Sequence, residues 1–217
     1  DRQAQIIAVS QSTKNDILRY LEIPEKNISV VHEALPTQVA EISRELADKP
    51  DLVAFLRQKL KLNKPYLLFV GTREPRKNLA RLIKAWLPLA NDYQLLIAGE
   101  QAWDGSEKIS QNPNLRFMGR VSDYELAVLY HQSELFVYPS LYEGFGLPPL
   151  EAMSRNLPVI TSNVSSLPEV VGAAALAINP HDINEIAKAM ELVVTSSELK
   201  AHLIKAGQEQ VKQFSWE

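Results

Sequence analysis

Two glutamates with seven residues between them, Glu143 and Glu151, bracket the run EGFGLPPLE. Gly144 and Gly146 lack a Cβ, so the backbone there can turn sharply and expose its N–H groups to a ligand. Pro148 and Pro149 carry the fixed φ of a first helical turn, where no intrahelical donor is lost. The free N–H groups and positive dipole end of such a helix form an anion site. A carboxylate beside a phosphate pocket is a poor phosphate ligand but a good acceptor for sugar hydroxyls. Phosphate flanked by hydroxyl-binding acids points to a nucleotide sugar. The bland alternative is a strand-to-helix turn with two solvated glutamates. Against it stands the apolar run Leu135-Phe136-Val137, which leads through Tyr138-Pro139-Ser140-Leu141-Tyr142 into the turn. The glycines then sit at the carboxyl end of a buried strand, the edge at which open α/β sheets bind ligands.

A second candidate is Gly71-Thr72-Arg73-Glu74-Pro75-Arg76-Lys77, between an apolar strand at 66–70 and a helix starting near Asn78. Sugar transfer from a nucleoside diphosphate leaves a dianionic pyrophosphate, which cations and backbone N–H groups must stabilise when no metal does. Lys77 supplies a point charge and Arg76 a bidentate fork. A solvated basic turn is the alternative. Glu100, after Ala98-Gly99, reads as a turn residue. His32, His131, His181 and His202 are scattered without ligand spacing and carry no assigned chemistry. No D-x-D triad closes a strand, and neither a metal nor another cofactor is expected.

These residues need a scaffold, and 217 residues with 46% hydrophobic and 23% charged content supply one core with a small appendage. A net charge of −3, with both signs mixed along the chain, gives no nucleic-acid surface. Without cysteine there is no disulfide framework or thiolate chemistry, which fits a cytoplasmic protein. No apolar run approaches the ~20 residues of a membrane span, and Asp1-Arg2-Gln3 does not begin a signal peptide.

Ile6 to Val9 reads as a short strand, Ser10 to Thr13 as caps for a helix through Leu21, and Ile28 to Val31 as another strand. Two helices follow, separated at Pro50. From Tyr66 strands and helices alternate, which predicts a doubly wound α/β domain with a parallel sheet. The strands fall at 66–70, 93–98, 115–118, 134–138, 157–160 and 175–178. The helices fall at about 79–90, 123–131, 147–154, 166–171, 183–194 and 197–213. Ser122 to Glu125 has the form of a capping box, and Leu79, Leu82, Ile83 and Trp86 form an apolar stripe that belongs to the core.

The E-x₇-E spacing, with VGTREPRKNLARLI (70–83), LLIAGE (95–100), LRFMGRVSDYEL (115–126) and LPVITSNVSSLPEVVG (157–172), resembles retaining glycosyltransferases of the GT-B fold. More closely it resembles the group 1 type, which includes bacterial mannosyl- and glucosyltransferases of cell-surface polysaccharide synthesis, and the GTREPRKN form leans towards its mannosyltransferase-like branch. The resemblance covers nearly the whole chain. It implies a Rossmann-like, doubly wound domain that is one half of a GT-B fold. Residues 1–36 would be the end of an N-terminal acceptor domain and a linker. Residues 37–217 would be the donor-binding domain, cut near Phe214-Ser215-Trp216-Glu217, before the final crossover helices.

In that likeness Glu143 faces the donor sugar near its reacting carbon and is the catalytic candidate. The N–H groups of Gly144, Phe145, Gly146 and Leu147 hold the sugar and distal phosphate, and Glu151 accepts the ribose hydroxyls. After Gly119-Arg120, Val121 contacts the base. Lys77 matches the family's lysine. Thr72 stands where the family has an arginine, which leaves Arg73 or Arg76 as the second cation. The implied activity is metal-independent retaining hexosyl transfer from a nucleotide sugar, GDP-mannose preferred, to a glycan or lipid-linked acceptor held by the missing domain. Any membrane association would lie in that missing half, at the inner face. A nucleotide-sugar 2-epimerase of the same fold and a non-enzymatic nucleotide- or partner-binding module are the rivals.

Overall fold

Apolar runs without alternation build the centre of the molecule. In the computed structural model, which describes residues 4–101 and 111–216, strands β3 (Tyr66–Val70), β4 (Gln94–Ala98), β5 (Leu115–Gly119), β6 (Leu135–Tyr138), β7 (Val159–Ser162) and β8 (Leu176–Ile178) form one parallel sheet in the order β5-β4-β3-β6-β7-β8. Asp1, Arg2, Gln3 and Glu217 lie outside the described residues. Leu67, Leu68, Phe69, Leu95, Leu96, Ile97 and the four residues of β6 are completely buried. Strands covered by helices on both faces bury every side chain, which explains why their sequences do not alternate.

The covering helices are α4 (Leu79–Trp86), α5 (Asp123–Gln132), α6 (Leu147–Ser154), α7 (Leu167–Val171), α8 (Ile183–Thr195) and α9 (Ser197–Val211). Ahead of them, α2 (Thr37–Ala47) and α3 (Pro50–Lys59) meet where the sequence places Pro50, at the start of α3. The capping box at Ser122 and Glu125 is formed, and the stripe of α4 is buried in the core. The helix expected over 79–90 ends earlier. Pro88 lacks the N–H that would bond back to Lys84, and the chain tightens into a 3₁₀ turn over Leu87–Leu89. The strand expected from 157 starts at Val159 because Pro158 cannot donate to the ladder; its carbonyl instead accepts from Phe136 N–H at 3.0 Å.

At the front of the chain, β1 (Ile6–Ala8) and β2 (Ile28–Val30) make a separate two-stranded parallel sheet, linked by α1 (Gln11–Tyr20). No helix among the described residues is long and apolar enough to cross a membrane.

The strand order fixes where a ligand can sit. The chain runs outward from β3 through β4 to β5, then returns to start β6 on the other side of β3. The loops after β3 and β6 therefore diverge at a switch point, where a crevice opens at the carboxyl ends of the strands. Both sequence candidates, the basic turn and the glycine turn, leave the sheet at that place.

Candidate functional site

The basic turn is shaped before it is charged. Gly71 N–H donates to Ala98 O at 2.9 Å, tying the end of β3 to β4. Gly99 packs so close that a Cβ there would lie 2.0 Å from the Gly71 oxygen, so no other residue fits. Pro75–Lys77 forms one 3₁₀ turn, and Asn78 closes it in the left-handed region at φ 62°. The buried Asn78 amide donates to Pro139 O at 3.0 Å and to Pro180 O at 2.7 Å. One side chain thus fixes the loop after β3 to the loops after β6 and β8.

That fixing brings Lys77 and Arg76 to Glu143. Glu143 Oε1 accepts from Lys77 Nζ at 2.6 Å, Ser140 Oγ at 2.6 Å and Tyr138 Oη at 2.9 Å. Its Oε2 accepts from Arg76 Nη1 at 2.8 Å. Lys77 also donates to the Tyr138 hydroxyl, and Arg76 Nε reaches Glu74 at 2.9 Å. Lys77 and Glu143 are both buried, at 6% and 8% exposure. A carboxylate taken out of water needs such company: each bond replaces a lost hydration contact, and two cations neutralise it. Burial pushes the Glu143 carboxyl up, but the Lys77 charge and the bonds from Lys77, Ser140 and Tyr138 more than reverse this and hold it below its usual value. For Lys77 the balance falls the other way. Burial outweighs the attraction of Glu143, and the ammonium sits below its ordinary pKa.

Beyond Glu143 the chain passes through the glycine turn into α6. Gly146 caps that helix at φ 137°, and a Cβ there would meet Leu167 Cδ2 at 3.1 Å. The loop before α7 holds the turn from behind. Glu143 N–H donates to Ser165 Oγ at 3.1 Å, while the Ser166 hydroxyl donates to the carbonyls of Glu143 and Phe145. Among the described residues, the N–H groups of Gly144, Phe145, Gly146 and Leu147 have no acceptor, and Pro148 and Pro149 carry no N–H. The turn therefore presents a cluster of uncommitted donors at a helix N-terminus.

Glu151, one turn into α6, is mostly enclosed. Burial raises its carboxyl pKa, against the opposing pull of the Tyr130 hydroxyl and the Arg155 charge. Arg155 in turn stacks over the Tyr130 ring at 5.2 Å. Thr72 and Val121 line a separate groove of about 370 Å³ with Val70, Gly71, Gly99 and Glu100. Glu100, read as a turn residue, also walls this groove and makes an exposed ion pair with Arg120 at 3.3 Å.

Of the two arginines left open by the sequence, the structure brings Arg76 to Glu143. Arg73 instead lies buried with its guanidinium 4.7 Å from the Phe117 ring centroid, on the β5 side. Tyr138 and Ser140 escaped the sequence reading as site residues although they stand in the segment leading to the turn. So did Ser165, Ser166 and Glu169, which lie inside a segment quoted only for its likeness. His32, given no chemistry, pairs with Glu169 at 2.7 Å.

Known proteins resemble the chain along its length. It is 36% identical to O-antigen chain mannosyltransferase B of Escherichia coli, over all of this chain and 58% of that protein. It is 34% identical to the serotype-specific mannosyltransferase WbdA of Escherichia coli, over all of this chain and 28% of that protein. The chain thus spans little more than half of the first relative and under a third of the second. Anabaena HepE, solved in complex with UDP-glucose, superposes with a TM-score of 0.79 at 18% identity, over 97% of this chain and 59% of its own. The sheet is accordingly one Rossmann-like half of a GT-B fold. A family model described as "Glycosyl transferases group 1" matches residues 54–210, a span that contains every residue of the candidate site, and the chain belongs to that family.

Proposed function

We propose that this chain supplies the donor half of a metal-independent, retaining hexosyltransferase, taking its hexose from a nucleotide sugar. The observation that carries the reading is the meeting, at the sheet switch, of Lys77, Arg76 and Glu143 with the uncommitted amides of Gly144–Leu147. The names of the mannosyltransferase relatives support mannose, and the ligand in the HepE structure supports a nucleotide sugar as the donor type. GDP-mannose is the preferred donor. The acceptor is a glycan or lipid-linked saccharide held by a further N-terminal domain, of which residues 1–36 would be the end and the linker. Residues 37–217 would be the donor-binding domain.

In this reading each group has a task. An ammonium has three donors, of which Lys77 uses one on Glu143 and one on Tyr138. Among the described residues, the Nη2 hydrogens of Arg76 have no acceptor either. Those donors and the turn amides take the pyrophosphate charge as it develops. The bond from the anomeric carbon to the phosphate oxygen breaks while the acceptor hydroxyl attacks from the same face. That hydroxyl's proton passes to the departing phosphate oxygen, and the sugar's configuration is kept. Glu143 positions the sugar and faces the positive charge that grows on its ring. Glu151 accepts the ribose hydroxyls with its two oxygens, and the groove at Thr72 and Val121 takes the base.

Calorimetric titration of the chain with GDP, UDP, GDP-mannose and UDP-glucose, without added metal, tests this. Selective binding of one nucleotide at millimolar concentration or below is expected. A wild-type chain that binds none of the four defeats the donor-half reading for this chain.

A further inference from the structure

The glycine turn is held from a side that the donor reading does not use. Ser10 Oγ donates to Gly144 O at 2.7 Å, and Thr13 Oγ1 donates to the same oxygen at 3.0 Å. Both hydroxyls stand at the start of α1, where Ser10 also accepts the Thr13 N–H at 3.0 Å as the helix cap. The start of α1 is itself held down. Glu169 Oε1 accepts Gln11 N–H at 2.8 Å and lies 2.7 Å from His32 Nε2, and its Oε2 accepts Ser12 N–H at 3.3 Å. Glu169 belongs to α7, directly after the serines that brace the turn from behind. His32 packs against Phe145 and Phe214, with ring centroids 5.9 and 5.7 Å apart.

A peptide unit is planar and trans, so its C=O and N–H point in opposite directions and turn together. Two donors on the Gly144 oxygen therefore fix the direction of the Phe145 N–H, one of the uncommitted amides. Hydrogen bonds in series also polarise one another, so a doubly engaged carbonyl makes its own N–H a stronger donor. We propose that Ser10, Thr13 and Glu169 are positioning residues for the anion-binding turn: the two hydroxyls set the Gly144–Phe145 peptide, and Glu169 holds α1 where they can reach it. The ligand in this inference rests on the donor reading; the clamp itself does not. On this assignment the first helix of the chain is part of the phosphate site without touching phosphate.

Thr13 gives the cleanest test, because Thr13→Val removes the hydroxyl while keeping the side-chain shape and leaving the Ser10 cap in place. Amide hydrogen exchange at residues 143–147 would be followed in wild type, Thr13→Val, Thr13→Ser and Glu169→Gln, with β3 and β6 amides as the control for folding. Thr13→Val and Glu169→Gln are expected to speed exchange at Glu143, the turn amide that donates to Ser165 Oγ, by roughly tenfold, as in a local opening, with strand protection unchanged. Thr13→Ser, which keeps the donor, is expected to match wild type. GDP and inorganic pyrophosphate are then titrated into the same proteins, with a several-fold loss of affinity expected in Thr13→Val and recovery in Thr13→Ser. Wild-type exchange in Thr13→Val overturns the clamp. Faster exchange with unchanged affinity overturns its positioning role. If wild type binds neither ligand and none of the other nucleotides, the donor reading fails, and the exchange rates still decide whether the clamp exists.

Discussion

Lys77 and Glu143 are each hard to bury without the other, and this governs what their substitution does. Lys77→Ala leaves a buried carboxylate short of a cation and is expected to cost about 3–5 kcal/mol of stability, measured by urea denaturation. Adding Glu143→Gln to that variant should recover much of the loss. A nucleotide-binding defect in Lys77→Ala alone would therefore mix folding with recognition, and the double variant separates them. The pH dependence follows from the direction of the Glu143 shift. Its carboxyl is held below the ordinary 4.5 in the native state, so its contribution is present above pH 4.5 and lost as pH falls through the lower native value. Subtracting the acid-denaturation curve of Glu143→Gln from that of wild type should isolate this loss.

Glu151 has the opposite sign. Its native carboxyl lies above 4.5, so the cost of ionising it is absent in acid and grows as pH rises past that value. Glu151→Gln is therefore expected to raise the thermal midpoint near neutral pH. It should also weaken nucleotide binding by ~1.5–3 kcal/mol, the worth of a charged hydrogen bond. Calorimetry and a thermal melt on one sample check both halves. An acid whose replacement stabilises the fold and damages the site is kept for function rather than for structure.

The glycines separate two kinds of constraint at the level of elements. Gly99 and Gly119 both have positive φ, at 142° and 66°. A Cβ on Gly99 would collide with the Gly71 backbone, whereas one on Gly119 has nothing within 4 Å. Gly119→Ala should cost about 1 kcal/mol, the strain of φ alone, while Gly99→Ala should cost several and displace the basic turn. Denaturation of both variants tests the contrast. Sequence showed the strands because buried parallel strands are apolar throughout, and it showed the glycine turn because glycine and proline act on their own neighbours. It misplaced the ends of elements at Pro88 and Pro158, where a missing N–H decides. It could not show that Ser10 does more than cap its helix, because its second partner, Gly144, lies 134 residues away. Nor could it show that Arg76 reaches Glu143 while Arg73 lies against the Phe117 ring of β5, since both contacts join residues far apart in the chain.

Across the whole molecule, strand order does what no single motif does. The basic turn and the glycine turn are far apart in sequence and meet only because β6 returns to the side of β3 opposite β4. Asn78 then joins the loops after β3, β6 and β8 through two buried bonds to the carbonyls of Pro139 and Pro180. Loops riveted in this way cannot swing independently, so the cationic turn is not a gate. The consequence is kinetic: nucleotide should enter in one bimolecular step, with an observed rate that climbs linearly with concentration and shows no plateau in stopped flow. Asn78→Ala, by loosening the rivet, should introduce the missing isomerisation and bend that line.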